Sequence, residues 1–279
     1  MKKIIIRRPE VIIDIHTHVF PDQLAEKALA VLSNSGNIAP YTDGTCAGLS
    51  ASMQKAGVDI SVIMPIATKP SQVQSINRWA ADINRQRKNL ISFGTLHPQQ
   101  NDWQEDIDFI VTNKIPGIKL HPDYQNFFVD DPEMMPLYKA LADAELMLMF
   151  HAGVDIGIPP PVHCTPKRLS RMLSAAPNLT VIAAHMGGYQ CWDDAMHYLF
   201  GRNLYLDTSF TLAETGPERM AAMIQAHGAD KILFGTDSPW TDQASEVRRI
   251  QELPLMQDDI NAILGGNAAR LLKNNIKPG

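Results

Sequence analysis

Short apolar runs alternate along the chain with longer stretches in which apolar side chains recur every three or four residues, the signatures of buried strands and amphipathic helices. Val11-Ile12-Ile13, running on into Asp14-Ile15-His16-Thr17-His18, reads as a first strand. Pro21-Asp22 opens a helix with Leu24, Ala28, Leu29 and Leu32 at helical spacing, ending near Ser33-Asn34-Ser35-Gly36. Residues 37–44, with Pro40, Tyr41, Asp43 and Gly44, read as an irregular loop of the kind that covers sites. Strands are then expected at 59–65, 90–96, 117–120, 146–150, 179–184, 204–206 and 231–234. Between them lie helices: one with Val73, Ile76, Trp79, Ala80 and Ile83 on one face, then 103–112, 131–144 behind Asp131-Pro132, Thr165-Pro166 to about Ala176, 192–199 and 214–226. Eight strands alternating with helices predict an α/β fold, a (β/α)8 TIM barrel, as a single domain over 1–279. An extra C-terminal helix carries Ile260, Ile263, Leu264, Leu271 and Leu272. A doubly wound sheet has the same local pattern, because periodicity carries no information about closure.

Composition narrows the function classes. An apolar share of 45% and a charged share of 20% suit a globular protein with a sizeable core. Lys and Arg number 25 against 30 Asp and Glu, so no nucleic-acid partner is expected. Lys2, Lys3, Arg7 and Arg8 form a basic N-terminal arm, read as a solvated end. It is not expected to be a signal peptide, since only Ile4-Ile5-Ile6 separates the charged pairs. No apolar run approaches the roughly 18 residues that span a bilayer, so no membrane partner is expected. Cys46, Cys164 and Cys191 are odd in number and outside Cys-x-x-Cys spacing, which suits reduced thiols and a cytoplasmic location.

In a barrel, catalytic groups follow the strands, and the notable polar residues do so. His16 and His18, two apart on a strand, share a face and can grip one divalent metal. Lys119 and His121, His151, His185, Asp207 and Asp237 end later strands. Glycines in His151-Ala152-Gly153 and His185-Met186-Gly187-Gly188 let the backbone turn around a ligand. Ser238 before Pro239 is the better helix cap in that segment, leaving Asp237 free. His97, His197 and His227 read as surface or capping residues, while Tyr41, Asp155, Asp207 and Trp240 are candidate lining groups. The proline-rich stretch 159–166 is read as a rim that brings His163 over the metal.

Taken together, Asp14-Ile15-His16-Thr17-His18, Gly117-Ile118-Lys119-Leu120-His121-Pro122, Phe150-His151-Ala152-Gly153, Ala184-His185-Met186-Gly187-Gly188, Gly235-Thr236-Asp237 and Gly266-Asn267-Ala268-Ala269-Arg270-Leu271-Leu272 resemble the metal-dependent amidohydrolase superfamily. The nearest branch contains aminocarboxymuconate semialdehyde decarboxylase and related hydrolases, and the likeness runs from about residue 11 to 273. The resemblance implies that His16, His18, His151 and Asp237 bind one divalent metal, zinc first and manganese second, and that His185 is the catalytic histidine beside it. It also implies a homodimer or larger homo-oligomer; a small-molecule substrate is expected, with Lys119, His121, His163 and Trp240 as substrate-binding candidates from their places beyond the strands. Such a donor set lowers the pKa of bound water toward about 7, with Asp237 placed to take its proton and His185 to polarise the scissile bond or protonate the leaving group. In two-metal members a lysine at the position of Lys119 is carboxylated. Here Lys119 is expected to stay unmodified and to bind an anionic substrate group or pair with Asp207.

The leading expectation is hydrolysis of an amide, ester or lactone. The alternative is non-oxidative decarboxylation, which gains from a cationic clamp, normally arginine. Arg168, Arg171, Arg202 and Arg219 fall in or beside helices, and only Lys119 lies at a strand end. An inactive barrel used as a binding protein is the reading from another class, and retention of all five metal and catalytic residues speaks against it.

Overall fold

The computed structural model describes residues 9–100 and 102–276. The basic arm, Lys2 to Arg8, lies outside them. Among the described residues nine parallel strands follow in order: β1 (Ile13–Thr17), β2 (Ile60–Ile63), β3 (Leu90–Ser92), β4 (Gly94–Thr95), β5 (Gly117–Leu120), β6 (Met147–Phe150), β7 (Val181–Ala183), β8 (Tyr205–Asp207) and β9 (Ile232–Leu233). They pair as β1-β2-β3 and as β4 through β9. β3 and β4 are two halves of the one strand expected at 90–96, interrupted at Phe93, whose N–H donates to the Ile63 carbonyl at 2.9 Å. The ring closes between its last and first strands. Ile15 N–H donates to the Phe234 carbonyl (2.8 Å), Asp237 N–H to the His16 carbonyl (2.8 Å) and His18 N–H to the Ser238 carbonyl (2.6 Å). Strands in sequential order that close on themselves make a (β/α)8 barrel and exclude the doubly wound alternative.

Each strand except β8, whose Tyr205 is half-buried, is buried along its whole length, because one face meets the barrel interior and the other the helices. Ile13, Ile15, Val62, Phe93, Met149, Ile182 and Leu233 fill the interior. Ile12, Ile63, Leu120, Phe150, Ala183, Leu206 and Phe234 pack outward. β1 breaks strict alternation. A register shift between Asp14 and Thr17 lets Ile15 join the interior cluster while His16 also turns inward above it.

The helical layer comprises α1 (Asp22–Gly36), α2 (Cys46–Ala56), α3 (Val73–Gln86), α4 (Gln104–Thr112), α5 (Pro122–Gln125), α6 (Met135–Asp143), α7 (Pro166–Ala175), α8 (Trp192–Tyr198), α9 (Leu212–His227) and α10 (Gln243–Gln251). The chain ends on α11 (Gln257–Asn261) and α12 (Asn267–Leu271), separated by a π-helical turn at Ala262–Gly266. Three helices were not foreseen: α2, the single turn α5 and α10. α2 is capped by Thr45, whose side chain accepts from Gly48 N–H, and stopped by Gly57 at φ 71°. α10 buries Gln243 and Glu246 along with Val247 and Ile250, so its inward stripe is half polar. α1 also departs from expectation: Ala25 and Leu29 are its buried residues, whereas Leu24 is 52% exposed. His97 and His227 are buried rather than superficial, yet they act locally, His97 Nδ1 accepting from Gln99 N–H and His227 bonding to the Leu204 carbonyl. Cys46, Cys164 and Cys191 are free, and no helix among the described residues is long and apolar enough to cross a membrane.

The π-helical turn sets Gly265 against the lead into β1, where an added Cβ would lie 2.1 Å from the Val11 carbonyl oxygen; at Gly266 the nearest atom is 3.5 Å away. Gly265→Ala is therefore expected to cost about 1–3 kcal/mol in denaturant melts, and Gly266→Ala to be neutral or to stabilise by up to about 1 kcal/mol. Equal effects at the two positions would contradict this packing.

Candidate metal centre

The C-terminal mouth of the barrel gathers three donor atoms. His16 Nε2 and His18 Nε2 lie 3.1 Å apart, and Asp237 Oδ1 is 3.0 Å from the latter and 3.4 Å from the former. The partners of the other ring nitrogens fix both tautomers. His18 Nδ1 donates to the Met64 carbonyl at 2.9 Å, and His16 Nδ1 donates to Asp207 Oδ2 at 2.8 Å. Each ring thus turns Nε2 toward the other ring and toward a carboxylate, a crowding of acceptor atoms that Lys119 Nζ, 3.4 Å from His16 Nε2, relieves in part and a bound cation would relieve further. Burial, followed by the charge of Lys119, lowers the His16 pKa to about 4, which keeps this ring neutral. Burial works to raise Asp237, but His16 and His18 hold it well below the usual carboxylate range.

His151 and His185 stand beside this group. His185 Nδ1 donates to the Ser209 carbonyl at 3.0 Å, and its Nε2 lies 3.2 Å from His151 Nδ1. When His151 carries the shared proton, its Nε2 is a free lone pair, and that atom is buried without a partner. Burial and the neighbouring His121 and His185 depress the His151 pKa strongly. His185 and Asp237 both take positive φ, 57° and 63°, and Met186 takes 54°; strained non-glycine backbone of this kind gathers at functional sites.

Asp207 sits beneath, accepting from His16 Nδ1, from His185 N–H (2.9 Å) and from Ser209 Oγ (2.5 Å). Although burial works to raise its pKa, His16 and His185 hold it far below the usual range. It makes no direct pair with Lys119, contrary to one of the two roles expected for that lysine. Lys119 is buried with Nζ 3.4 Å from His16 Nε2, and burial lowers its pKa to about 8, on the charged side of neutral pH.

His121, His151 and Asp155 also bring their polar atoms together, but they suit a metal poorly. His121 Nδ1 accepts from Tyr124 N–H and its Nε2 donates to Asp155 Oδ2 at 3.1 Å, so neither nitrogen is free. Its ring stacks on His151 at 4.2 Å and 13°, and parallel rings cannot aim in-plane lone pairs at one ion. His121 thus braces His151 and holds Asp155 at the cavity wall.

A cavity of about 930 Å³ opens over these groups and is lined by His16, His18, Lys119, His121, His151, His185 and Asp237, with Tyr124, Asp155, Tyr189 and Trp240 around them. His163 and Tyr41 are not among its lining residues. His163 Nδ1 bonds Asp123 Oδ1 at 2.8 Å and its ring rests on Phe128, so it does not hang over the metal site; Tyr41 is 66% exposed. Ser238 caps no helix and its Oγ has no partner; Asp242 caps α10 instead. Sequence reasoning assigned no role to Asp14, whose carboxylate accepts from His16 N–H, Thr236 N–H, Thr236 Oγ and Gln243 Nε2. Even with these donors, burial pushes its pKa up to about 7.

The donor set fits a divalent ion. Two ligands at about 2.0–2.1 Å in a tetrahedral shell are about 3.3 Å apart, close to the separations at His16, His18 and Asp237, and His151 Nε2 is an unpartnered further donor.

A parallel barrel with such a centre at its C-terminal mouth defines a metal-dependent enzyme class. The chain belongs to the amidohydrolase family, whose model matches residues 13–273. It is similar in fold to an uncharacterized TIM-barrel protein from Bordetella bronchiseptica, at 22% identity and TM-score 0.75 over 95% of this chain and 99% of that one. A 5-carboxyvanillate decarboxylase from Sphingomonas paucimobilis aligns at 17% identity and TM-score 0.72 over 94% and 99%. That of Novosphingobium aromaticivorans, complexed with manganese and 4-hydroxy-3-methoxy-5-nitrobenzoic acid, aligns at 16% and 0.71 over 94% and 96%. No curated protein matches the chain.

Elemental analysis is expected to find one equivalent of divalent metal per chain and little in a His16→Ala, His151→Ala double variant; undiminished metal there would contradict the assignment. Asp207→Asn, which loosens the tautomer of His16, is expected to weaken metal affinity about 10–100-fold in chelator competition.

Proposed function

We propose that this enzyme removes carbon dioxide, without oxidation, from a small apolar carboxylic acid, using zinc or manganese held by His16, His18, His151 and Asp237. The observation that carries this reading is Lys119, a buried cation in the floor of an otherwise largely apolar cavity, beside the candidate ligands. An acid brings a fixed negative charge to such a floor, whereas an ester, lactone or amide does not. The decarboxylases that share the fold lend further support.

The ion would supply a Lewis acid that takes a substrate oxygen and draws electron density from the bond that breaks. Lys119 Nζ holds the acid by its carboxylate. As the carbon–carbon bond breaks, its electron pair stays on the substrate carbon and carbon dioxide leaves. The carbon then takes a proton delivered through His185 Nε2, which first parts from His151 Nδ1. The Ser209 carbonyl occupies Nδ1, so Nε2 is the position that exchanges that proton.

Hydrolysis, the leading expectation from sequence, keeps one observation in its favour: no arginine lines the cavity among the described residues. Arg168 and Arg171 pair with Asp130, Arg202 with Ser170 and Arg219 with Asp193. A decarboxylase here depends on Lys119 for its clamp, since Lys27, the other lysine that lines the cavity, is exposed on α1. Metal-loaded protein should release carbon dioxide from aromatic carboxylic acids, with kcat/KM falling about 100-fold in Lys119→Gln and in His185→Asn. Acid release from esters, lactones or amides without carbon dioxide from any acid would reverse the assignment in favour of hydrolysis.

A further inference from the structure

Helix α1 carries two apolar faces where one suffices to dock it. Ala25 and Leu29 are buried, and Leu29 packs against the loop after the helix, where a Cβ on Gly44 would lie 3.0 Å from its side chain. Leu24, Ala28, Val31 and Leu32 recur at helical spacing as a second stripe, and all four line the cavity whose floor holds Lys119 and the candidate metal ligands. This stripe is open to solvent, with Val31 60% exposed, and Ile156 of the loop after β6 lines the same cavity at 45% exposure. The end of α1 is tied to that loop. Ser35 Oγ donates to the Gly157 carbonyl at 2.9 Å, and a Cβ on Gly36 would lie 3.3 Å from Ile156 Cδ1.

Scattered exposed hydrophobics need no explanation, but these are gathered. Among the large hydrophobics exposed in the described residues, Leu24, Val31 and Ile156 line this one cavity, while Tyr41, Val111, Met196 and Met256 lie elsewhere. The stripe, with the exposed Gln23 and Lys27 beside it on the same helix, opens onto a floor that holds a buried cation. At about 930 Å³ the cavity stands near the upper end of the roughly 300–1,000 Å³ usual for small-molecule sites, more than a single-ring acid needs. A cationic floor and outer walls in which Leu24, Ala28, Val31, Leu32 and Ile156 predominate match an elongated amphipathic acid.

We infer that the outer cavity binds the apolar body of an amphipathic carboxylic acid, and that the α1 stripe together with Ile156 sets how large that body can be. The placement of the carboxylate at Lys119 rests on the function proposed above; the site for the apolar body does not.

Calorimetric titration of the metal-loaded full chain with benzoate, 2-naphthoate, biphenyl-4-carboxylate and 4-phenylbenzyl alcohol tests this. Affinity is expected to rise at least about tenfold from benzoate to biphenyl-4-carboxylate as apolar area is buried. Val31→Asp, at an exposed position, should erase that gain while changing benzoate affinity less than about twofold, and Val111→Asp on the outer surface should change neither. A biphenyl acid that binds no tighter than benzoate overturns the inference, as does a gain that survives Val31→Asp. It is equally overturned if Val31→Asp splits an oligomer of the wild-type chain and leaves the gain intact, since the stripe is then a contact between copies. Equal affinity for the biphenyl acid and its alcohol would support the apolar site and count against the acid at Lys119, separating the two claims.

Discussion

The structure turns on the seam where the last barrel strand meets the first. The backbone hydrogen bonds that close the ring, Asp237 N–H to the His16 carbonyl and His18 N–H to the Ser238 carbonyl, involve the residues that present the three converging donor atoms. Closing the barrel and assembling the centre are therefore one event. Asp14 braces the seam from the other side, tying β1 to Thr236 and to α10 through Gln243. The register shift in β1 completes the device, since it turns Asp14 outward and His16 inward within three residues.

Around the seam, acceptors decide what each imidazole can do. The Met64 carbonyl, Asp207 and the Ser209 carbonyl each take an Nδ1 proton, which commits Nε2 of His18, His16 and His185 to the cavity. Such partners orient metal-binding histidines and fix their basicity. Lys119 sets the charge of the floor, and α1 with Ile156 the character of the walls, so the proposed headgroup and body would be recognised by different elements.

Much of this was legible in the sequence. Parallel strands buried on two faces read as continuous apolar runs, and the polar residues that interrupt them, His16, His18, Lys119, His151 and Asp237, mark the mouth of the barrel. α10 escaped because Gln243 and Glu246 occupy inward positions that an apolar stripe would fill, and α2 because small and polar residues dilute its stripe. The apolar residues of α1 were visible, but their assignment to two faces depends on where the helix docks. His163 was misread because its partner, Asp123, lies forty residues earlier in the chain. Asp14 and Ser209 act through contacts across the fold, which no local spacing reveals.

The centre itself is tested most directly by anomalous diffraction at the zinc or manganese edge from metal-loaded crystals. A single ion bonded to His16 Nε2, His18 Nε2 and Asp237 Oδ1, with His151 Nε2 as a further ligand, is the expected result. An ion seated between His121 and Asp155, or two ions bridged by a carboxylated Lys119, would contradict it.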